Sequence, residues 1–449
     1  MPERLAIIGG DAAGMSAASA ARRRDPSLEV VAFERGPYTS YSACGIPFFL
    51  GRHFEDSDRL VSRSPEEHRA NGIEVHVRTE VVALDLDRRV LRARDHRGAE
   101  RTEGFDQVVL ATGAEAVAPP IPGAEAVEPA RTIDAAERFD SELSRRAGRH
   151  AVVVGGGYIG LEMAEALLHR GLDVTLVELG PQLFPALDED MAEHVLDAAE
   201  GEGIDVRLGT AVDEVLLDGD GRPRGVRLGD EEVAAEHVVL ATGVRPATGL
   251  AGAAGLELGD SGALVVDDRQ RCPGHDGVFA AGDCVESFHR VLRAPRNVQL
   301  GTHANKQGRI AGVNATGGDV RFPGVVGTAV TRICRYEVAR TGVTEAEARA
   351  AGLDVRSAVI KDRTRAGYYP GAGPIWVKLV VEPGTGRLLG GQIVGVEGAA
   401  KRVDVLATAI WAGMTVQELE LLDLGYAPPV APVYDPLLVA ASATVRALS

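Results

Sequence analysis

The first part of the chain alternates between short apolar runs and a stretch of small residues. Residues 5–8 are an apolar run, and residues 28–33 are a second, mostly apolar segment; both are typical of buried parallel strands. An alanine-rich segment between them, which ends at Arg24, is typical of a helix. Strand, helix and strand in this order predict a βαβ unit. Its first turn runs from Gly9 to Gly14, where the chain enters the predicted helix.

The same pattern returns in the middle of the chain with a more specific motif. The apolar run 151–154 leads into a complete G-x-G-x-x-G, and a predicted helix from 161 to about 170 leads to a strand at 172–177. Glycines at this spacing let a nucleotide pyrophosphate approach the backbone at a helix N-terminus. The first turn departs from the motif because Asp11 replaces its second glycine. The candidate nucleotide-binding residues of the second turn are Gly155, Gly157 and Gly160.

An acidic residue ends the second strand of each unit. Glu34 lies 20 residues after Gly14, and Glu178 lies 18 residues after Gly160. A carboxylate at this position accepts hydrogen bonds from a ribose diol and repels a 2′-phosphate. Glu178 therefore predicts NADH in preference to NADPH.

Two further segments match each other. Residues 105–113 and 238–243 are both apolar strands that end in Ala-Thr-Gly, which indicates an internal duplication of a nucleotide-binding unit. A third strand and turn at 276–283 places Asp283 where a carboxylate binds a hydroxyl of a polyol chain. The candidate binding residues of these turns are Ala111, Thr112, Gly113, Gly243, Gly282 and Asp283.

Composition limits the classes of function. A net charge of −17 disfavours general binding to nucleic acid or to an anionic membrane. None of the four cysteines belongs to a C-x-x-C pair and the histidines follow no ligand pattern, so no metal site is predicted. Sparse cysteine, the lack of a signal-peptide pattern and the lack of a long apolar run predict a cytoplasmic protein.

The candidate reactive group is the thiol of Cys44. No second cysteine follows nearby, and Phe49 stands five residues on, so no disulfide within the chain is expected there. A lone thiol beside a redox cofactor can share its sulfur with an outside thiol, a sulfenic oxygen or a persulfide. Its reactive form is the thiolate, which a helix N-terminus or an oxidised ring would stabilise. The alternative is a buried structural cysteine.

The motifs at 9–14, 111–113, 155–160 and 280–283 together resemble those of the FAD/NAD-linked disulfide reductases. This resemblance implies an α/β fold with two Rossmann-like domains, the NAD unit being inserted in the FAD unit, and a C-terminal α+β dimerisation domain. It also implies FAD, NADH (or NADPH) and a homodimer. The expected bounds are 1–120 with 244–322 for FAD, 121–243 for NAD(P)H and 323–449 for dimerisation.

The segment from Ser40 to Pro47 is similar to the single-cysteine branch of these reductases, which contains coenzyme A-disulfide reductases, NADH oxidases, NADH peroxidases and NADH-dependent persulfide reductases. Oxidases and peroxidases of the branch carry a histidine where this chain has Ala12. Coenzyme A-disulfide reductases use paired tyrosines from the partner subunit. Tyr426 matches one of them, and Tyr368 matches the other, with Tyr369 as the alternative.

The resemblance also implies roles for several other residues. Arg23, within a run of three arginines at a helix end, and Ser40 would bind coenzyme A. From their places after the second glycine turn, Tyr158 is expected either to gate the nicotinamide pocket or to pack there, and Glu162 either to lie near the flavin or to face solvent. The prediction is therefore an FAD-dependent NAD(P)H:disulfide oxidoreductase that reduces coenzyme A disulfide through Cys44, with coenzyme A as substrate or as adduct. The alternatives are a persulfide or polysulfide reductase, an NADH oxidase or peroxidase, and a flavin-bound redox sensor.

Overall fold

The structure is a computed structural model, and it describes residues 3–146 and 148–448. The first elements are β1 (Arg4–Ile8), α1 (Ala12–Arg24), β2 (Glu29–Phe33), α2 (Ile46–Leu50), α3 (Pro65–Ala70), β3 (Glu74–His76), β4 (Thr79–Asp85), β5 (Val90–Asp95), β6 (Glu100–Gly104), β7 (Gln107–Leu110) and β8 (Ala114–Ala116). The middle elements are α4 (Ile133–Arg145), β9 (His150–Val154), α5 (Tyr158–His169), β10 (Asp173–Val177), α6 (Glu189–Gly201), β11 (Asp205–Arg207), β12 (Glu214–Leu217), β13 (Pro223–Leu228), β14 (Glu231–Ala234), β15 (His237–Leu240) and β16 (Val244–Pro246). The last elements are α7 (Gly249–Ala253), β17 (Val278–Ala280), β18 (Ser287–His289), β19 (Ala294–Arg296), α8 (Gly301–Ala315), β20 (Ala329–Ile333), β21 (Tyr336–Gly342), α9 (Glu345–Ala350), β22 (Arg356–Arg363), β23 (Pro374–Val381), β24 (Leu388–Gly395), α10 (Val403–Ala412), α11 (Val416–Glu420) and α12 (Pro436–Leu448).

The first domain is built on a parallel sheet with the strand order β17-β7-β1-β2-β3. Its strands are apolar without alternation because helices or loops cover both faces. The strand β17 returns to this sheet only after the middle segment of the chain. Helices α1 and α8 pack very closely on it: a Cβ at Gly308 or Gly312 would lie 2.0 or 2.1 Å from a backbone oxygen of α1. Glycine at both positions lets these helices touch.

The second domain repeats this architecture with a parallel sheet in the order β11-β10-β9-β15. Two connections join it to the first domain, and their strands β8 and β16 pair antiparallel. The threonine hydroxyls of the duplicated Thr-Gly turns hold these connections: Thr112 donates to the carbonyl of Ala247 at 2.7 Å, and Thr242 donates to that of Val117 at 2.8 Å. The duplicated turns therefore also hold the two connections between these domains.

The third domain is an antiparallel sheet in the order β20-β21-β24-β23-β22, covered by α10 and α12, with α11 packed on α12. The helix α12 was not predicted from the sequence. Helix α5 begins at Tyr158, three residues earlier than predicted, because the helix starts directly at the glycine turn. None of the helices in the described part of the chain is long and apolar enough to cross a membrane.

A buried lysine joins the second and third domains. Lys378 on β23 is 2% exposed, and its Nζ lies 2.8 Å from both carboxylate oxygens of Asp190. It also lies 3.3 Å from Asp188 and 3.4 Å from Glu345. Although burial opposes it, these carboxylates raise the pKa of Lys378. The junction of the second and third domains thus contains a buried cation surrounded by three acids.

Candidate active site

The two glycine turns have the same geometry. Gly9 and Gly155 have φ angles of +107° and +108°, which favour glycine. A Cβ at Gly14 or at Gly160 would lie 1.8 Å from the carbonyl oxygen of the first glycine of its turn. Helices α1 and α5 start at these turns, and no side chain caps either N-terminus. Their free backbone N–H groups suit a pyrophosphate.

Both acids that follow the second strands are fixed by backbone N–H groups. Glu34 accepts hydrogen bonds from the amides of Gly10 at 2.7 Å and Gly36 at 2.6 Å. Glu178 repeats both bonds with the equivalent glycines, at 2.6 and 2.7 Å. A carboxylate oxygen has two lone pairs, so each acid can still accept from a ribose hydroxyl.

A cavity of about 400 Å³ lies along the first turn. Among the predicted residues, those that line it are Gly9, Glu34, Ala111, Thr112, Gly113 and Asp283. Burial raises the pKa of Asp283, which Arg131 opposes. A helix N-terminus, an anchored acid and a buried carboxyl that converge on one cavity fit the pyrophosphate, ribose and polyol hydroxyls of FAD. Gly14, Gly243 and Gly282 shape the turns nearby, the last two with φ of +99° and +89°.

Cys44 lies in a short 3₁₀ turn, Ala43–Gly45, which leads directly into α2. The residue is exposed, whereas Phe49 is 3% exposed in the core. Although the residue as a whole is exposed, the protein around it partly desolvates the sulfur, and this desolvation, followed by the charge of Glu162, raises the pKa of the Cys44 thiol. Asp283 and Asp11 add smaller contributions of the same sign. The chain's own groups thus favour the protonated thiol, in contrast to the stabilised thiolate expected from a helix N-terminus.

The helix α5 contributes two further predicted residues. Glu162 accepts a hydrogen bond from the Thr331 hydroxyl on β20 at 2.8 Å, and burial raises its pKa. Tyr158 packs on Phe184 with ring centroids 4.3 Å apart. Burial raises the pKa of Tyr158 to about 12, so its phenol is neutral. The helix therefore connects the second glycine turn with the surroundings of Cys44.

A second cavity, of about 540 Å³, lies on the other side of the first turn. It contains both predicted substrate-binding residues, Arg23 and Ser40. Ser40 has a left-handed φ of +47°, and its hydroxyl lies 3.0 Å from Nε2 of the buried His68. Burial, with Arg63 adding to it, lowers the pKa of His68 to about 4, so this histidine is neutral.

The structure distinguishes the middle arginine of the run 22–24 from its neighbours. Arg22 donates to the carbonyls of Pro26 and Leu28, and Arg24 donates to that of Thr316. Arg23 has no such partner among the described residues, and its exposed side chain lines the second cavity. It is therefore free to bind an anionic ligand.

Asp11 lies where the two cavities meet, since it lines both of them. One carboxylate oxygen accepts a hydrogen bond from the backbone N–H of Tyr41 at 3.1 Å. Burial raises the pKa of Asp11 to about 6, and Glu34 and Asp283 add to the rise. The residue that breaks the first glycine motif thus points away from a simple pyrophosphate contact and toward the segment that precedes Cys44.

The two predicted tyrosines meet on an exposed surface of the third domain. The hydrogen bond with Tyr426 raises the pKa of Tyr368. Their exposed fractions are 77% for Tyr368 and 49% for Tyr426. Other exposed apolar or aromatic residues of the same C-terminal segment are Leu421, Val430, Val433 and Tyr434. The structure therefore pairs Tyr426 with Tyr368.

Comparison with known proteins identifies the family. Residues 3–308 match the model of pyridine nucleotide-disulphide oxidoreductases, and residues 328–436 match the dimerisation domain of the same family. The chain belongs to the pyridine nucleotide-disulphide oxidoreductases. The predicted fold class, the enzyme class and the cofactors FAD and NAD(P)H are thereby confirmed.

Several relatives of this oxidoreductase are similar over nearly its whole length. The NAD(P)H coenzyme A polysulfide/persulfide reductase of Pyrococcus horikoshii is 37% identical over 444 residues, which is 98% of each chain. The structure of an NAD-dependent persulfide reductase from A. fulgidus has a TM-score of 0.94 and 36% identity, covering 99% of this chain and 83% of the other. The reduced CoADR-RHD of Bacillus anthracis has a TM-score of 0.94 and 31% identity, covering 99% and 80%.

Sequence reasoning missed three basic residues of the oxidoreductase. Arg63, Lys306 and Arg309 line the second cavity beside Arg23. Lys306 and Arg309 lie on α8. The sequence feature that could have indicated them is their positive charge, since Lys306 is one of only four lysines in the chain. Its position beside Arg23 depends on the contact of α8 with α1, which the sequence does not give.

Proposed function

We propose that this oxidoreductase uses NADH to reduce coenzyme A disulfide, with Cys44 as the attacking sulfur. The observation that carries the proposal is the position of an accessible, unpaired cysteine next to a cavity lined by four basic side chains. Ser42, two residues before Cys44, lines that cavity. Coenzyme A presents three phosphate groups and one sulfur, and arginine and lysine are the side chains that bind phosphate.

The reaction follows thiol–disulfide exchange. The Cys44 thiol gives up its proton and attacks one sulfur of the substrate disulfide as the thiolate, which forms a mixed disulfide and releases one coenzyme A thiolate that takes up a proton. Bound FAD supplies the relay that carries two electrons from NADH to the mixed disulfide. Breaking that bond restores Cys44 and releases the second thiol. The sum is NADH, one proton and one disulfide converted to NAD⁺ and two thiols.

The chain's residues hold the reactants of this reaction. The first turn, Glu34 and Asp283 would bind FAD, and the second turn and Glu178 would bind NADH. Tyr158 would cover the nicotinamide pocket until the coenzyme enters. Because the carboxyl of Asp11 has a pKa of about 6 and lines both cavities, it can hold a proton between the cofactor and the substrate.

The preference for NADH is testable at Glu178. Replacement Glu178→Gln keeps one oxygen to accept a backbone N–H but removes the charge that repels a 2′-phosphate. We expect kcat/KM for NADPH relative to NADH to rise by roughly 10-fold, which is about 1.4 kcal/mol of discrimination. Steady-state kinetics with both coenzymes measures it, and Glu200→Gln on α6 is the matched control. An unchanged ratio would show that another residue selects the coenzyme.

We propose that the protein is a homodimer in which the tyrosine pair of one subunit faces the Cys44 of the other. The match to a dimerisation domain and the exposed apolar and aromatic residues of the same C-terminal segment support this arrangement. The phenols would donate a proton or a hydrogen bond to the departing thiolate.

The role of the tyrosine pair is testable with Tyr426→Phe. We expect kcat for disulfide reduction to fall roughly 10²-fold, the usual contribution of a positioned proton donor, with NADH reduction of the flavin unaffected. Stopped-flow and steady-state kinetics separate the two steps. Tyr434→Phe, in the same exposed segment, is the control and should leave both unchanged. Equal kcat for the Tyr426 variant and the parent would remove the phenol from the mechanism.

A second candidate function is the reduction of coenzyme A persulfide or of polysulfide. It is favoured by the similarity to the Pyrococcus enzyme and to the A. fulgidus persulfide reductase. Oxidase or peroxidase chemistry is less favoured because Ala12 replaces the histidine of those enzymes. NADH consumption should be compared with coenzyme A disulfide, coenzyme A persulfide, polysulfide, peroxide and dioxygen as acceptors. Failure of coenzyme A disulfide to support turnover would overturn the first proposal.

Mass spectrometry of the purified protein gives an independent test. We expect a coenzyme A adduct on Cys44, and a sulfenic acid instead would favour oxidase chemistry.

We also propose a cytoplasmic location, because the four cysteines are all free and a reducing compartment keeps them so.

A further inference from the structure

A cluster of two histidines and one glutamate lies outside both cavities. His53, Glu165 and His169 each bring one potential ligand atom to within 4.8 Å of the others. The two imidazole rings stack with centroids 4.6 Å apart and an angle of 27° between their planes. None of these side chains has a role in the reaction proposed above.

The backbone presents these three residues together. Glu165 and His169 are four residues apart on α5 and therefore share one face of the helix. His53 comes from the loop that follows α2. That loop approaches α5 closely, since a Cβ at Gly51 would lie 3.2 Å from the Cα of Ala166.

Hydrogen bonds hold the loop in place. Arg170 donates to the carbonyl of Leu50 at 3.1 Å and to Asp140 at 2.6 Å. Arg52, with a left-handed φ of +58°, donates to the same carboxylate of Asp140 at 3.0 Å. His53 is therefore positioned by a fixed loop rather than by a mobile one, which a ligand set requires.

The acid of this cluster is paired with an exposed cation. Glu165 is buried at 4% exposure, and its carboxylate has one cation beside it, Arg332 at 3.2 Å. The Arg332 side chain is 44% exposed and can move into solvent if another cation takes the carboxylate.

We propose that His53, Glu165 and His169 bind a divalent transition-metal ion of the zinc type. Two imidazoles and a carboxylate form a ligand set that suits zinc and leaves its fourth position to water. The ion would tie the loop after α2 to α5. Since Cys44 lies just before α2 and Glu162 lies on α5, the ion would also fix the two elements that bring the thiol and this carboxyl together.

The test is titration of the FAD-bound protein with zinc alone, after removal of metals by a chelator. A Cys44→Ser background prevents binding at the catalytic thiol. Calorimetry should show one zinc per chain, and zinc should raise the midpoint of thermal unfolding. The double replacement His53→Gln, His169→Gln should weaken binding at least 10-fold and abolish the thermal shift. The control His96→Gln, at an exposed histidine, should change neither.

The replacement Arg332→Gln is expected to strengthen zinc binding, whereas the double histidine replacement weakens it. Without the competing cation on Glu165, zinc should bind at least several-fold more tightly, and this gain does not depend on how the histidine variant folds. The proposal is wrong if zinc does not bind the parent, if the double variant binds it as tightly, or if Arg332→Gln weakens binding.

Discussion

Replacement Cys44→Ser is expected to abolish turnover with coenzyme A disulfide, by roughly 10³-fold or more, because a hydroxyl cannot form the mixed disulfide. FAD content should be unchanged, since no cavity-lining group of the first turn is altered. NADH should still reduce the bound flavin once, because the second turn and Glu178 are intact. The measurements are steady-state thiol release and stopped-flow flavin absorbance.

The matched control is Cys334→Ser, which changes a half-buried cysteine outside the proposed site. It should retain the turnover of the parent. A Cys44→Ser protein that reduces coenzyme A disulfide at the parental rate would disprove covalent chemistry at this residue. A variant that loses FAD would instead show that Cys44 has a structural role.

Replacement Lys378→Met is expected to lower the free energy of unfolding by about 3 kcal/mol. Methionine fills a similar volume, but it leaves the three acids around Lys378 without their buried cation. We take the lower end of the usual range because the Asp190 side chain is 48% exposed and water can reach it. Guanidinium unfolding of the FAD-bound protein measures the change.

Lys401→Met is the control for Lys378→Met. Lys401 also forms an ion pair, with Asp404, but its side chain is 83% exposed. An exposed pair of this kind contributes less than about 1 kcal/mol. Equal effects of the two replacements would show that burial of the Lys378 cluster does not matter for the junction of the second and third domains.

The parts of the site that the sequence predicted are local in the chain. Gly9, Gly14 and Glu34 belong to one turn and the strand after it, and their spacing alone constrains their geometry. The second unit, with Glu178, follows the same rule. The sequence predicts a motif of this kind because its residues are close together in the chain, and the regular geometry of strand, turn and helix sets their relative positions.

The parts that the sequence did not predict depend on contacts between distant segments. Lys306 and Arg309 reach the second cavity through the packing of α8 on α1. The pKa of Cys44 rises through desolvation first and then through the charges of Glu162, Asp283 and Asp11, which come from separate parts of the chain. The local sequence instead suggested a thiolate stabilised by a helix N-terminus or by an oxidised ring. The domain bounds and the roles of the site residues stay predictions.

The backbone anchoring of the two acids has a consequence for cofactor engineering. Glu178 is held by the amides of Gly156 and Gly180, so the acid is already oriented when a nucleotide arrives and little ordering entropy is lost on binding. A redesign for NADPH that places a small apolar residue at position 178 would leave both amides without a hydrogen-bond acceptor. Each amide that water cannot reach would then lower the stability by about 1–3 kcal/mol. Retargeting the coenzyme therefore calls for a neutral acceptor at this position and a new cation elsewhere.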